Sequence, residues 1–352
     1  MGGKIVDFHG WELPVQFTTI TQEHTAVREK AGLFDISHMG QVFVWGPDAE
    51  SFLQGLVTND VRRATLSKGV YAHLLNEKGG VIDDIFIYHV EEQKYLLIVN
   101  ASRRVEDVAW IQKHAQGKNV AVVEATVGAA LALQGPEAMA IAARVCPSIA
   151  YLPRFGIAEF SVGETKTLVA RTGYTGEDGV EFFAPAPHLA VVFDALVAAG
   201  ASRGLSPAGL GARDTLRTEV AYPLYGNELD EDHTPLEAGL AWVVRWDKGD
   251  FIGRAALERQ KAAGLQRKLV GFRIEAGGIA RHGATVVVDG KDVGVVTSGT
   301  YAPSLSQAIG LAYVPAALAH VGQKFQIRQG NREMSAIAVK LPFYAKPVPA
   351  KA

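Results

Sequence analysis

The run Val81-Ile82-Asp83-Asp84-Ile85-Phe86-Ile87-Tyr88 places two adjacent carboxylates inside a segment otherwise built for burial. Its β-branched and aromatic residues favour a strand, and in a strand successive side chains leave opposite faces. Each aspartate therefore sits on a face with apolar companions, and Asp84 is expected to share its face with Ile82, Phe86 and Tyr88. A charged carboxylate in such surroundings is costly unless it is paired, hydrogen-bonded or met by a polar ligand. One of the two is thus expected to face a site. The competing reading is a strand-end aspartate that caps a turn or pairs with an arginine.

Around this strand the pattern is that of an α+β chain. A short polar turn and a second strand, Lys94 to Asn100, complete a hairpin. Helices are expected over Thr18 to Ala31, with Gly32 stopping it, over Pro47 to Leu56, Val105 to Ala115, Gly135-Pro136 through Val145, His188 to Ala199, Pro207 to Tyr222 and Arg254 to Ala263. The helix from Pro207 puts Arg213 and Arg217 one turn apart on one face. Strands are expected over Gln41 to Trp45, Asn119 to Ala125, Leu131 to Leu133 and within Phe160 to Pro185, around a glycine-rich loop, Thr172 to Gly179. Trp11 to Pro14 and Phe34 to Gly40 read as loops. Beyond Ala263 come short strands with turns at Asp289-Gly290, Ser298-Gly299 and Gln329-Gly330-Asn331, the spacing of a separate small barrel or sandwich. The tail 346–352, rich in Pro and Lys, is expected to be mobile.

A length of 352 residues favours two or three domains, and 48% hydrophobic residues supply their cores. With 35 basic and 37 acidic residues well mixed, no extended positive field recruits nucleic acid. Cys146, the only cysteine, excludes an intrachain disulfide and a multi-cysteine metal site and reads as a small core residue. No apolar run is long enough to span a membrane, the start lacks a signal peptide's apolar stretch, and Val6 stands where myristoylation needs Ser or Thr, so a cytoplasmic protein is expected. G-x-x-x-x-G-K-[ST], H-E-x-x-H, G-x-S-x-G and a strand-linked G-x-G-x-x-G are all missing, which withdraws support from ATP hydrolysis, zinc proteolysis, serine hydrolysis and Rossmann hydride transfer. No metal, flavin or nicotinamide site is indicated.

Further site candidates lie in the glycine-rich loop and after it. Glu181, among Val180, Phe182 and Phe183 at a strand start, is a better binding group than Glu177 and Asp178, which the turn is expected to leave solvated. An acid beside aromatic residues suits a ligand with donor nitrogens and a flat ring. Ala208 to Asp214 offers close backbone approach and the Arg213 guanidinium, with a structural ion pair as the alternative. Phe34 to Gly40, with His38 and Met39, and Trp11 to Pro14 could each line a pocket or simply pack.

Taken in order, Phe8-His-Gly-Trp-Glu-Leu-Pro14, Phe34-Asp-Ile-Ser-His-Met39, Asn76-Glu-Lys-Gly-Gly-Val-Ile-Asp-Asp84, Arg171-Thr-Gly-Tyr-Thr-Gly-Glu-Asp-Gly179, Gly209-Leu-Gly-Ala-Arg-Asp214, Leu224-Tyr-Gly-Asn-Glu-Leu-Asp230, Val296-Thr-Ser-Gly299 and Pro342-Phe-Tyr344 resemble the signatures of the glycine cleavage T-proteins, nearly end to end. The resemblance implies an α+β, three-domain cloverleaf around a central folate cavity. A first folate-binding domain would comprise 1–36 and 128–252, an inserted domain carrying Asp84 would span 37–127, and a C-terminal barrel or jelly-roll-like domain 265–345. It implies transfer of an aminomethyl group from the lipoyl arm of the H-protein to tetrahydrofolate, giving 5,10-methylenetetrahydrofolate, ammonia and the dihydrolipoyl carrier.

Carried over position by position, the family's critical aspartate falls on Asp84, its pterin-binding acid on Glu181 with Tyr174 packed beside it, and other folate contacts on Arg213 and Tyr344. Met39, Tyr71, Tyr88, Asn100 and Tyr222 align near the cavity, and Arg281 is a candidate for the glutamyl tail. A basic patch near the cavity mouth is expected for the acidic carrier. Family members usually carry further residues ahead of the segment equivalent to Gly3-Lys4, which bears on carrier docking more than on folate binding. Two relatives stand as alternatives. Folate-binding proteins of iron-sulfur maturation have a reactive cysteine in a Lys-Gly-Cys-Tyr-like motif, whereas Cys146 sits in Arg-Val-Cys-Pro-Ser. Folate domains of sarcosine- or dimethylglycine-oxidising enzymes normally follow a flavin domain.

Overall fold

The computed structural model describes residues 2–126 and 128–346. Of the tail expected to be mobile, all but Lys346 lies outside the described residues.

The strand Val81–Glu91 is second in a five-stranded antiparallel sheet, ordered Gly69–Leu75, Val81–Glu91, Lys94–Val99, Gly40–Trp45, Ala121–Glu124. Ile85 and Ile87 point to one face, where Phe52 and Leu53 of the helix Ala49–Leu56 and Ile111 of the helix Arg104–Ala115 cover them. Each such side chain, essentially fully buried, contributes roughly 1.5–3 kcal/mol. Phe86 and Tyr88 point the other way. Ile82 departs from the expected alternation. Leu74 pairs with Asp83 but Leu75 with Val81, so Ile82 is the extra residue of a bulge and turns into the helix-covered core, away from Asp84.

A second sheet runs Ile157–Val162, Thr165–Ala170, Gly179–Pro185, Gly128–Gln134, Ala31–Asp35, Leu205–Pro207. Helices Ala138–Val145 and Ala186–Gly200 cover one face through Ile141, Leu189, Val192 and Leu196, which pack on Leu131, Leu133 and Phe182. On the opposite face Ala130, Ala132 and Phe183 meet Tyr88, Leu96 and Ile98 of the first sheet, together with Ala212 and Leu216 of the helix Leu210–Glu219. The two sheets therefore back onto each other.

Six strands, Arg267–Ala276, Gln307–Pro315, Lys291–Ala302, Thr285–Val288, Lys324–Gln329 and Arg332–Val339, close a barrel filled by Phe272, Val286, Val296, Ile327 and Ala336. Closure leaves no free edge. Ser298-Gly299, expected as a turn, lies inside a barrel strand beside a bulge, and a Cβ on Gly299 would meet the Ala280 carbonyl oxygen at 2.1 Å. The barrel is tied to the rest by Asn227 Nδ2 donating to Thr297 O (2.9 Å) and Tyr313 Oη donating to Glu228 O (2.8 Å).

Three other local expectations are corrected. Trp11–Gln16 is a strand, paired with Lys4–Phe8. Ala31–Asp35 is a buried strand rather than a helix end followed by a loop; its preceding helix, Ile20–Glu29, is capped by the Thr19 side chain. Pro207 ends a short strand, and the next helix starts at Leu210.

Candidate active site

Asp84 is half-buried on the first sheet, on the face turned toward the second. Tyr71 Oη donates to its Oδ2 at 2.9 Å, and Asn100 Nδ2 donates to its Oδ1 at 2.8 Å. Asn100 is itself fixed by Asp83, whose Oδ2 accepts from the Asn100 backbone N–H (2.9 Å) and whose Oδ1 accepts from Nδ2 (2.9 Å). Asp83 thus orients the amide that holds Asp84. Burial and then the Asp83 charge push the Asp84 carboxyl well above the usual carboxylate range. Asp107, from the helix beneath, is wholly buried beside Asp83; burial and that neighbour push it up to about 11. It is therefore protonated at neutral pH.

Four residues along the strand, Tyr88 crosses from one sheet to the other, its hydroxyl 2.7 Å from Thr172 Oγ1. Thr172 in turn donates to Glu181 Oε2 at 2.5 Å. Burial raises the Glu181 carboxyl; the Thr172 bond and the nearby Arg213 charge work against this. Glu181 Oε1 is left for another donor, since a carboxylate accepts on both oxygens.

Arg213 lies over the Tyr174 ring at 4.3 Å, and Tyr174 adjoins Tyr222, ring centroids 5.9 Å apart. The Tyr174 hydroxyl donates to Pro223 O. Tyr174 therefore serves as the floor under Arg213, with Tyr222 beside it. Burial lowers the Arg213 pKa, yet a guanidinium remains charged. One turn on, Arg217 is spoken for: it pairs with Glu228 (2.9 Å) and Asp214 (2.7 Å), and its Nη2 donates to Ser298 Oγ of the barrel at 2.8 Å.

The remaining candidates are placed differently. Met39 packs with Tyr88, Phe34 and Ile98 between the sheets. Tyr344 lies over Arg28, 4.2 Å from ring centroid to guanidinium carbon, and its backbone N–H donates to Glu219 O (2.8 Å). It joins the far end of the Leu210–Glu219 helix rather than the Asp84 or Glu181 clusters. Arg281 donates to Gly299 O on the barrel at 3.2 Å. Glu177, expected to be solvated, is buried and paired with Arg28 at 3.0 Å, whereas Asp178 is half-exposed and paired with Arg171 at 2.6 Å.

Sequence reasoning passed over Thr172, His73 and Asp107, and gave His38 no role of its own. The signal for Thr172 was its position in the glycine-rich loop two residues before Tyr174. His38 is buried, and burial followed by the Arg213 and His9 charges lowers its pKa to about 3, so it presents a neutral imidazole near Arg213. His73 stands opposite Asp84 in the strand pairing and is likewise neutral, burial taking its pKa to about 3.

A half-buried carboxyl held by two donors, a second acid reached from the same strand face through Tyr88 and Thr172, and an arginine on an aromatic floor lie where the two sheets meet. This is the architecture of the GCVT class: residues 1–248 match the GCVT N-terminal domain and residues 267–345 the glycine cleavage T-protein C-terminal barrel domain. An aminomethyltransferase of Halothermothrix orenii is 45% identical over 346 residues, covering 97% of this chain and 96% of that protein. One of Geobacillus kaustophilus is 44% identical over 348 residues, covering 98% and 96%. The crystal structure of glycine cleavage system aminomethyltransferase T from Bartonella henselae superimposes with a TM-score of 0.90 at 32% identity, covering 97% of this chain and 94% of that one. The chain belongs to the glycine cleavage T-protein family, and it is an enzyme of the aminomethyltransferase class.

Proposed function

We propose that the chain moves the methylene carbon of an aminomethyl-dihydrolipoyl group, carried by the glycine cleavage H-protein, onto tetrahydrofolate bound between the two sheets. The observation that carries this reading is Asp84: a half-buried carboxyl of raised pKa, fixed by Tyr71 and Asn100, on the strand face that leads through Tyr88 and Thr172 to Glu181. Glu181 would accept from the donor edge of the pterin, Arg213 would meet an acceptor of the ligand, and Tyr174 and Tyr222 would supply flat walls. Tyr344 and Met39 would act at the margin.

In the reaction the C–S bond to the carrier breaks as N5 of the folate takes the carbon, and the N5 proton ends on the carrier sulfur. The C–N bond then breaks as the departing amine takes a proton from Asp84, leaving an iminium at N5; N10 closes the ring on it, and the N10 proton returns to Asp84. Asp84 suits both halves. With its pKa raised by burial and by Asp83, the carboxyl can give a proton to the departing amine, and the carboxylate left behind then stabilises the iminium and orients N10.

Among the described residues no helix is long and apolar enough to cross a membrane, and we place the enzyme with its folate pool in the cytoplasm. Calorimetric titration of tetrahydrofolate into the wild type and Glu181→Ala, followed by ammonia release from the aminomethyl-loaded carrier, tests the reading. Folate binding that the variant loses, with ammonia release dependent on folate, supports it. Binding without release moves the chain toward a folate-binding relative, and no binding overturns the proposal.

A further inference from the structure

We infer that His73 is a positioning residue for the reaction, acting on Asp84 through the hydroxyl of Tyr71; the inference rests on the function proposed above. His73 and Asp84 are directly opposed in the pairing of Gly69–Leu75 with Val81–Glu91, and Tyr71 precedes His73 by two residues on the same face. The imidazole Nε2 lies 3.3 Å from Tyr71 Oη, and that hydroxyl is 2.9 Å from Asp84 Oδ2. His73 is wholly buried, and its backbone is clasped by Thr58, whose hydroxyl accepts from the His73 N–H (3.0 Å) and whose N–H donates to the His73 carbonyl (3.1 Å). The ring also meets Tyr71 edge-on, centroids 5.2 Å apart.

The other ring nitrogen decides the direction of the chain. His73 Nδ1 is buried and, among the described residues, has no hydrogen-bond partner. A neutral imidazole carries one proton, and an N–H buried without an acceptor costs more than a bare ring nitrogen in the same place. The proton therefore belongs on Nε2, which donates to Tyr71 Oη. Because that oxygen is then an acceptor, its single hydrogen is committed to Asp84. Reversing the chain, with Asp84 donating to Tyr71 and Tyr71 to Nε2, would strand an N–H on Nδ1. The buried histidine thus favours the arrangement in which Asp84 is the acceptor, the form that faces a developing cation. Outside this chain Tyr71 stacks on Trp242, centroids 5.8 Å apart, so its ring is held on a second side.

The role is separable from packing by geometry. A glutamine can put its amide nitrogen where Nε2 stands, an asparagine reaches only to the Nδ1 position, and a leucine fills the space with no donor. Relative to wild type, His73→Leu and His73→Asn are expected to lower kcat for aminomethyl transfer by about threefold to tenfold, the worth of one hydrogen bond, with KM for folate changed by less than about twofold. His73→Gln restores kcat to within about twofold of wild type, and in a Tyr71→Phe background His73→Leu has no further effect. Thermal melts confirm that each variant is folded. Equal kcat in all variants, or equal losses in Gln, Asn and Leu, overturns the inference, whereas a wild type that never turns over overturns the proposed function instead. Independently of activity, imidazole 15N shifts of the wild type, assigned by their loss in His73→Gln, read the tautomer: a proton on Nε2 supports the inference, and one on Nδ1 refutes it.

Discussion

Replacing Asp84 by asparagine removes a carboxyl that can ionise and keeps the shape. The variant oxygen can still accept from Asn100 Nδ2, but the new amide must face Tyr71 Oη, now as a donor. Loss of a preorganised charge at a reacting cation typically lowers turnover by about 10²–10³, or roughly 2.7–4 kcal/mol. Folate affinity, resting on Glu181 and Arg213, should change little. Stability moves the other way. The Asp84 carboxyl is raised in the folded protein, so the native state holds this proton more tightly than the unfolded chain does, and wild-type stability declines as pH rises from the ordinary carboxylate value through the raised one. Each pH unit in that window costs the wild type at most about 1.4 kcal/mol through this group. Asparagine does not titrate, so Asp84→Asn should match or exceed the wild type at neutral pH and lose that advantage toward pH 4. Single-turnover ammonia release, folate calorimetry and melts over that range measure the three parts. Turnover near wild type would refute the catalytic role, and a variant whose relative stability falls as pH rises would refute the pKa argument.

Arg217→Met strands Glu228 without its buried partner and also breaks the bond to Ser298; a loss of about 3–5 kcal/mol is expected in denaturant melts, relieved when Glu228 is replaced by Gln in the same chain. Gly80→Ala would put a Cβ 1.7 Å from the Glu231 carbonyl oxygen, so the Asn76–Gly80 turn must shift; melts should fall by about 2 kcal/mol or more, and turnover should fall with them because the turn leads directly into the strand of Asp84.

Much of this was legible where the pattern is local. The hairpin around Asp83-Asp84 and the helix Arg254–Ala263 follow from alternation and periodicity within a few residues. What escaped is set by distant partners. Glu177 reads as a solvated turn acid until Arg28, far away in sequence, closes on it. Ile82 leaves its expected face because a bulge opposite Leu74 and Leu75 shifts the register, which no single-strand pattern encodes. Trp11–Gln16 contains Pro14, which argues against a strand, yet this two-stranded hairpin is all edge and tolerates it. His73 looks like an ordinary strand residue because only the pairing puts it against Asp84.

The strand Ala31–Asp35 takes Gly128–Gln134 as its antiparallel neighbour, with Gly32 opposite Gln134. The whole five-stranded sheet is strung between them. On a ribosome the first strand emerges roughly a hundred residues before its neighbour, and closing a loop of that length delays the pairing. The sheet carrying Asp84, all of whose strands lie between these two in sequence, can form during that interval, while the apolar Phe86 and Tyr88 face waits for its cover. Slow or crowded synthesis would therefore expose this face first, and aggregation of nascent chains should begin there rather than in the barrel, whose strands are made last.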